Sequence, residues 1–127
     1  WLTAAEADAR AVAADRLIRF VSLEAFDRAT VRGAWFVFFG TRWCRGSRRL
    51  TPRWLRLQQQ WARSSLPGVA DGGFQLAKVD CTPDEAFCER RRVDGFPTLF
   101  LYVNGQLTEE YTGEQQLPEL WAYLQEK

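Results

Sequence analysis

The chain has 127 residues, of which 46% are hydrophobic and 26% charged, with a formal net charge of +1. That is enough for one domain with its own core, and the charge gives no global reason to expect a nucleic acid or an acidic membrane as partner. Histidine is absent, which excludes Cys-His nucleophile pairs, Ser-His-Asp triads and His-ligated metal sites.

No apolar run approaches the roughly 18 residues of a membrane span, and no signal-peptide pattern is present. The chain opens at Trp1 and reads as a mature form or excised fragment, which leaves room for a membrane anchor in a longer parent. The basic residues are 15 Arg and 2 Lys. This reads mainly as a compositional bias of the source, with bidentate anion recognition by Arg as the functional alternative.

Residues 3–16 are Ala-rich with scattered acids and Args. They favour a short, loosely packed helix, or an arm over residues 1–15. "RLIRFVS" (16–22) has the composition of a short first strand. Ser22 is placed to cap a helix over Leu23 to Thr30, which Gly33 closes. "AWFVFFG" (34–40) is apolar on both alternating faces, as a central strand covered on both sides would be.

Downstream, Leu50, Trp54, Leu57 and Trp61 fall on one helical face, with Pro52 inside that helix and expected to kink it. "LPGVADGG" (66–73) reads as a loop and "FQLAKVD" (74–80) as a strand. "TPDEAFCERRR" predicts a helix with Thr82 as cap, Pro83 first and Glu85 closing a capping box. "TLFLYV" and "QLTEEY" flank Asn104-Gly105, a strong hairpin signal. Leu117, Leu120, Trp121 and Leu124 form one stripe of a C-terminal helix. The predicted order is β-α-β-α-β-α-β-β-α, an α/β fold with a mixed central sheet flanked by helices.

Between the central strand and the long helix lies "TRWCRGSRR" (41–49). Cys44 would sit at a helix N-terminus, where free N–H groups and the helix dipole favour an anion. A thiol acts as a nucleophile only as thiolate. Arg42, Arg45, Arg48 and Arg49 would each favour that thiolate if directed inward. The plainer alternative for Arg48, Arg49 and Arg53 is a solvated helix face.

This element order, Trp43-Cys44-Arg45-Gly46-Ser47, the kinking Pro52, the "KVDCT" segment (78–82) and "VDGFPTLFLYVNGQ" (93–106) together resemble the thioredoxin-fold domains of the protein disulfide isomerase family. The resemblance covers roughly residues 16–126. It implies a thioredoxin-like domain over 16–127 with Cys44 as the exchanging thiol. Trp43, Arg45, Gly46, Phe96 and Pro97 would border the substrate, and Pro97 would be cis. It further implies polypeptide clients bearing disulfides or free thiols, residence in the endoplasmic reticulum lumen, and no cofactor, metal or nucleic acid.

Three departures qualify that picture. Ser47 stands where the family has its resolving Cys, so an internal disulfide cannot close and net dithiol oxidation or reduction is not expected. Isomerisation and covalent retention of clients stay chemically possible. The pattern fits both a natural monothiol member and an engineered Cys-to-Ser trap. Phe38 stands where the family keeps a buried acid, and Gly113-Glu114 replaces its Gly-Arg. Both favour trapping over turnover.

Cys81 and Cys88 resemble a pair found in several secretory-pathway isomerase domains. A structural disulfide and two buried reduced thiols are both compatible with the sequence, whereas their spacing does not suit zinc. The alternative to exchange is a redox-inactive chaperone or binding module using the same groove near Trp43, Phe96 and Pro97.

Overall fold

In the computed structural model, which describes residues 3–64 and 74–127, all seven residues of strand β1 (Ala34–Gly40) are buried. Burial of every position follows from its place in the sheet. β1 pairs in parallel with β2 (Phe74–Asp80) and antiparallel with β3 (Thr98–Val103), which in turn carries β4 (Gln106–Tyr111). Among the described residues the sheet has four strands in the order β2-β1-β3-β4.

Alternate side chains of β1 seed two cores. Phe36 and Phe38 pack with Leu50, Trp54 and Leu57 of α3 (Arg45–Arg63) and Leu120 and Leu124 of α5 (Leu117–Glu126). Trp35, Val37 and Phe39 pack on the other face with Phe26 of α2 (Phe26–Thr30) and Cys88 of α4 (Glu85–Glu89). This is the thioredoxin fold expected from the sequence, and helix α3 runs unbroken through Pro52.

The N-terminal helix α1 (Ala4–Asp15) is capped by Thr3, whose Oγ1 accepts the Glu6 N–H. It is not loosely packed as expected. Ala11 and Ala14 are buried, and Asp8 pairs with Arg48 of α3 at 2.6 Å. Small side chains let the two helices approach closely without a wide apolar face.

The expected first strand over 16–22 shrinks to one bridge, Phe20 to Lys78. The chain is still leaving α1 as far as Ile18, whose N–H reaches back to the Ala14 carbonyl at 3.1 Å. The Gln58 side chain then takes both the Arg19 N–H (2.8 Å) and the Leu17 carbonyl (3.0 Å). Only the Lys78 N–H to Arg19 carbonyl and Val21 N–H to Lys78 carbonyl bonds remain for the sheet.

Two predicted helix starts also move. Ser22 caps a turn, accepting the Ala25 N–H at 3.2 Å, and α2 begins only at Phe26. Helix α4 starts at Glu85 with Asp84 as cap, not at Thr82 and Pro83, because Thr82 and Glu85 are engaged elsewhere. The predicted hairpin forms, with Asn104 and Gly105 at φ 50° and 83°, as a tight turn between twisted strands requires. The loop predicted at 66–73 lies outside the described residues.

Candidate active site

β1 ends at Gly40, and four residues later Cys44 is the N-cap of α3. Its carbonyl accepts the Arg48 N–H at 3.1 Å, while its side chain makes no capping bond. The thiol is therefore free to turn outward. It is half-buried, the one cysteine outside a disulfide, and its Sγ donates to the Phe96 carbonyl at 3.3 Å. The first-turn N–H groups of α3 point toward the same end of the helix.

The Phe96–Pro97 bond is cis. Gly46 faces it closely: a Cβ there would lie 2.9 Å from Pro97 Cδ and 3.9 Å from Cys44 Sγ. Trp43 is 59% exposed, stands edge-on to Phe96 at 6.0 Å, and donates from Nε1 to Glu85 at 3.1 Å. Thus Trp43, Cys44, Gly46, Phe96 and Pro97 converge, although 52 positions separate Cys44 from Phe96. Arg45 is exposed beside them.

Ser47 lies one helical turn inward and is buried, its Oγ accepting the Thr41 N–H at 3.3 Å. Beneath it a polar chain runs through the core. Thr51 Oγ1 donates to the Ser47 carbonyl (2.7 Å), Lys78 Nζ donates to Thr51 Oγ1 (3.0 Å), and Asp15 accepts from Lys78 Nζ (2.7 Å). Lys78 Nζ also lies 4.9 Å from the Phe38 ring. Phe38 carries no acid, and α1 brings the Asp15 carboxylate to this buried lysine instead. Sequence reasoning missed Asp15, Lys78 and Thr51. The one signal was a lysine flanked by Ala77 and Val79 in the buried stretch of β2.

Of the arginines near Cys44 in sequence, two have partners of their own. Arg42 is held by Asp80 (3.0 Å), and Arg48 by Asp8 and by the Arg42 carbonyl (3.1 Å). Arg45 and Arg49 remain exposed, with no ion pair among the described residues.

A disulfide joins Cys81, just beyond β2, to Cys88 in α4. It braces the loop that carries the free thiol. The Cys81 N–H donates to the Gly40 carbonyl (2.9 Å), and the Arg42 N–H donates to Thr82 Oγ1 (3.1 Å). Thr82 and Glu85 are thereby spent on the Cys44 loop, which accounts for the displaced start of α4.

The sequence family described as thioredoxin matches residues 18–126. The chain belongs to the thioredoxin family. Its relatives include a thioredoxin domain-containing protein 5 homolog of Drosophila melanogaster, 41% identical over 80% of this chain and 23% of that protein. Protein disulfide-isomerase 5-1 of Arabidopsis thaliana is 29% identical over 74% of this chain and 60% of its own length. This thioredoxin domain thus spans less than two thirds of either relative.

Among solved structures, human ERp44 superposes with a TM-score of 0.75 at 25% identity, covering 86% of this chain and 29% of that one. The J-Trx1 fragment of ERdj5 superposes with a TM-score of 0.70 at 26% identity, covering 86% of this chain and 50% of that one. The fold and the protein disulfide isomerase relationship expected from the sequence both stand.

Proposed function

We propose that residues 16–127 form a thiol-disulfide exchange domain of a larger protein disulfide isomerase-like protein of the endoplasmic reticulum lumen, with residues 1–15 as a helical arm. Cys44 is its nucleophile and forms mixed disulfides with client polypeptides. The observation that carries this reading is a half-buried free thiol at the N-terminus of α3, hydrogen-bonded to the Phe96 carbonyl, with a buried Ser47 where a resolving thiol would stand. Family membership, the isomerase relatives and the Cys81–Cys88 disulfide, which suits an oxidising compartment, support it.

In the proposed step the Cys44 thiolate attacks one sulfur of a client disulfide. A Cys44–client disulfide forms, and the client's other sulfur leaves as thiolate, which takes up a proton. Phe96 and Pro97 offer backbone to the client chain beside the thiol, and the exposed Trp43 shields the new bond. Ser47 cannot expel the client, so release waits for a thiol of the client or of another molecule. The Cys44-Arg45-Gly46-Ser47 sequence suits retention or isomerisation in place of net oxidation, whether it arose naturally or as a trap.

The test is incubation with an unfolded client whose thiols have been converted to mixed disulfides by glutathione disulfide, followed by non-reducing electrophoresis and peptide mapping. A client-linked species through Cys44, absent in Cys44→Ala, is the expected result. Client binding that is undiminished in Cys44→Ala, with no covalent species in the parent chain, would leave a redox-inactive binding module in its place.

A further inference from the structure

Outside the thiol site, a row of arginines lines the groove between α1 and α3. Two adjoining clefts, about 460 Å³ and 210 Å³, share Ala7, Arg48, Arg49 and Arg53. The first also takes in Arg45, the neighbour of Cys44, and the second Arg10 and Arg56. The acid in their walls, Asp8, is already held by Arg48 at 2.6 Å. Arg53 gives one N–H to the Gln115 carbonyl at 3.1 Å. Arg10, Arg45, Arg49 and Arg56 are exposed and have no carboxylate partner among the described residues. A third cleft continues the line past Arg56 to Arg63 and Trp121.

This arrangement differs from an evenly solvated helix. The whole chain carries a net charge of only +1, so the acids that balance these arginines lie elsewhere. Arg45, Arg49, Arg53 and Arg56 follow the helical spacing that keeps side chains on one face. The α1 wall presents Ala4 and Ala7, which leave room for a backbone to settle between the guanidinium groups. Arg forks match carboxylates in paired geometry. From Arg45 to Arg63 the helix rises about 27 Å, the reach of about eight residues of extended chain.

We propose that this groove receives an acidic, extended polypeptide segment flanking the client's cysteine, and so selects which clients reach Cys44. This deepens the exchange reading and rests on it.

The test uses peptides carrying one cysteine as its 2-thiopyridyl disulfide, followed by eight residues rich in Glu, in Lys or in Gln. Attack by Cys44 joins the peptide to the protein and releases thiopyridone, whose absorbance gives the rate. The Glu peptide is expected to react about tenfold faster than the Gln peptide at low ionic strength, with the Lys peptide slowest. The difference should collapse near about 0.5 M salt. In the double variant Arg49→Glu/Arg56→Glu, with both positions exposed and folding checked by thermal melting, the preference should vanish or reverse.

Equal rates for the three peptides, or a preference untouched by the double variant, overturn the proposal while leaving exchange intact. The Cys44→Ala chain separates the two readings by fluorescence anisotropy. Retained binding of the Glu peptide, lost in Arg49→Glu/Arg56→Glu, supports the groove even if no peptide reacts with Cys44 in the parent chain. Tighter binding of a single-stranded oligonucleotide of the same length assigns the groove to nucleic acid and overturns the proposal.

Discussion

β1 and β2 run side by side in parallel and end level with each other, Gly40 opposite Asp80, and each is followed within a few residues by cysteine. Their fates differ. After β1 the chain turns into a loop that leaves Cys44 half-exposed at the head of a 19-residue helix. After β2 it turns down at once, and Cys81 is fully buried and closed onto Cys88. One sulfur is free and partly exposed, whereas the other two tie the strand end to a short helix. The closed pair serves the open thiol: hydrogen bonds from Arg42 and Trp43 land on Thr82, Asp80 and Glu85 around the disulfide. The loop that carries the free thiol is steadied by the loop that carries the disulfide.

The sharpest way to break this contrast is Cys44→Ala. Covalent client capture should disappear, while the unfolding free energy moves by less than about 0.5 kcal/mol, as for a partly exposed site with no tertiary anchor beyond one weak bond. The reverse pattern is expected for Cys81→Ala/Cys88→Ala. A closed loop of this size contributes about 2–3 kcal/mol, so urea unfolding should move by that amount while folded protein still captures client through Cys44.

Ser47→Cys would make the first region resemble a closing pair. The Cys44–client bond should then be short-lived, and insulin reduction in the presence of a thiol reductant should rise above that of the parent chain. Persistence of the mixed disulfide in that variant would show that position 47 is too buried to attack. Gly46→Ala brings a Cβ to 2.9 Å from Pro97 Cδ. It should slow capture about tenfold, a rise of roughly 1.4 kcal/mol in the rate-limiting barrier, and lower the melting temperature, because the rigid Pro97 ring must shift.

A further effect, confined to alkali, concerns the disulfide face. Burial, opposed by the Arg91 charge, raises the Tyr102 phenol from 10.0 to about 12. A raised value means that the folded state holds the proton longer than the unfolded chain. Its contribution is therefore whole below about pH 10 and is lost as pH climbs through about 12. Tyr102→Phe should flatten stability across that window and leave it unchanged at neutral pH, as denaturant titrations at stepped pH would show.

Much of the fold could be read from local pattern. β1 has apolar residues on both faces, and α3 repeats Leu50, Trp54, Leu57 and Trp61 at helical spacing, so burial and periodicity agree with the final packing. The cysteine, the tryptophan before it and the Gly-Phe-Pro segment likewise converge. What escaped local reading depended on long-range partners. The segment 16–22 has strand-like composition, but Gln58, 39 positions beyond Arg19, takes its hydrogen bonds. Thr82 and Glu85 look like a capping box and instead serve residues 40 and more positions earlier. The Asp15–Lys78 pair joins helix and strand across 63 positions, a separation at which neither periodicity nor capping rules apply. Asp15→Asn would keep an acceptor for Lys78 but remove its counter-charge; breaking a buried pair costs up to about 3–5 kcal/mol, and roughly half of that is expected in urea unfolding with Asp15 one-third exposed.

The hairpin that closes the sheet bears on how this protein behaves in concentrated solution. β4 is an outer strand, and its free side could template pairing with another chain. It is only six residues long, its exposure alternates, it carries Glu109 and Glu110, and β3 meets it with a register shift between Leu101 and Tyr102. A short, acidic, irregular border of this kind makes a poor seed for sheet growth. In concentrated protein solution it keeps the domain from joining aggregates through this edge.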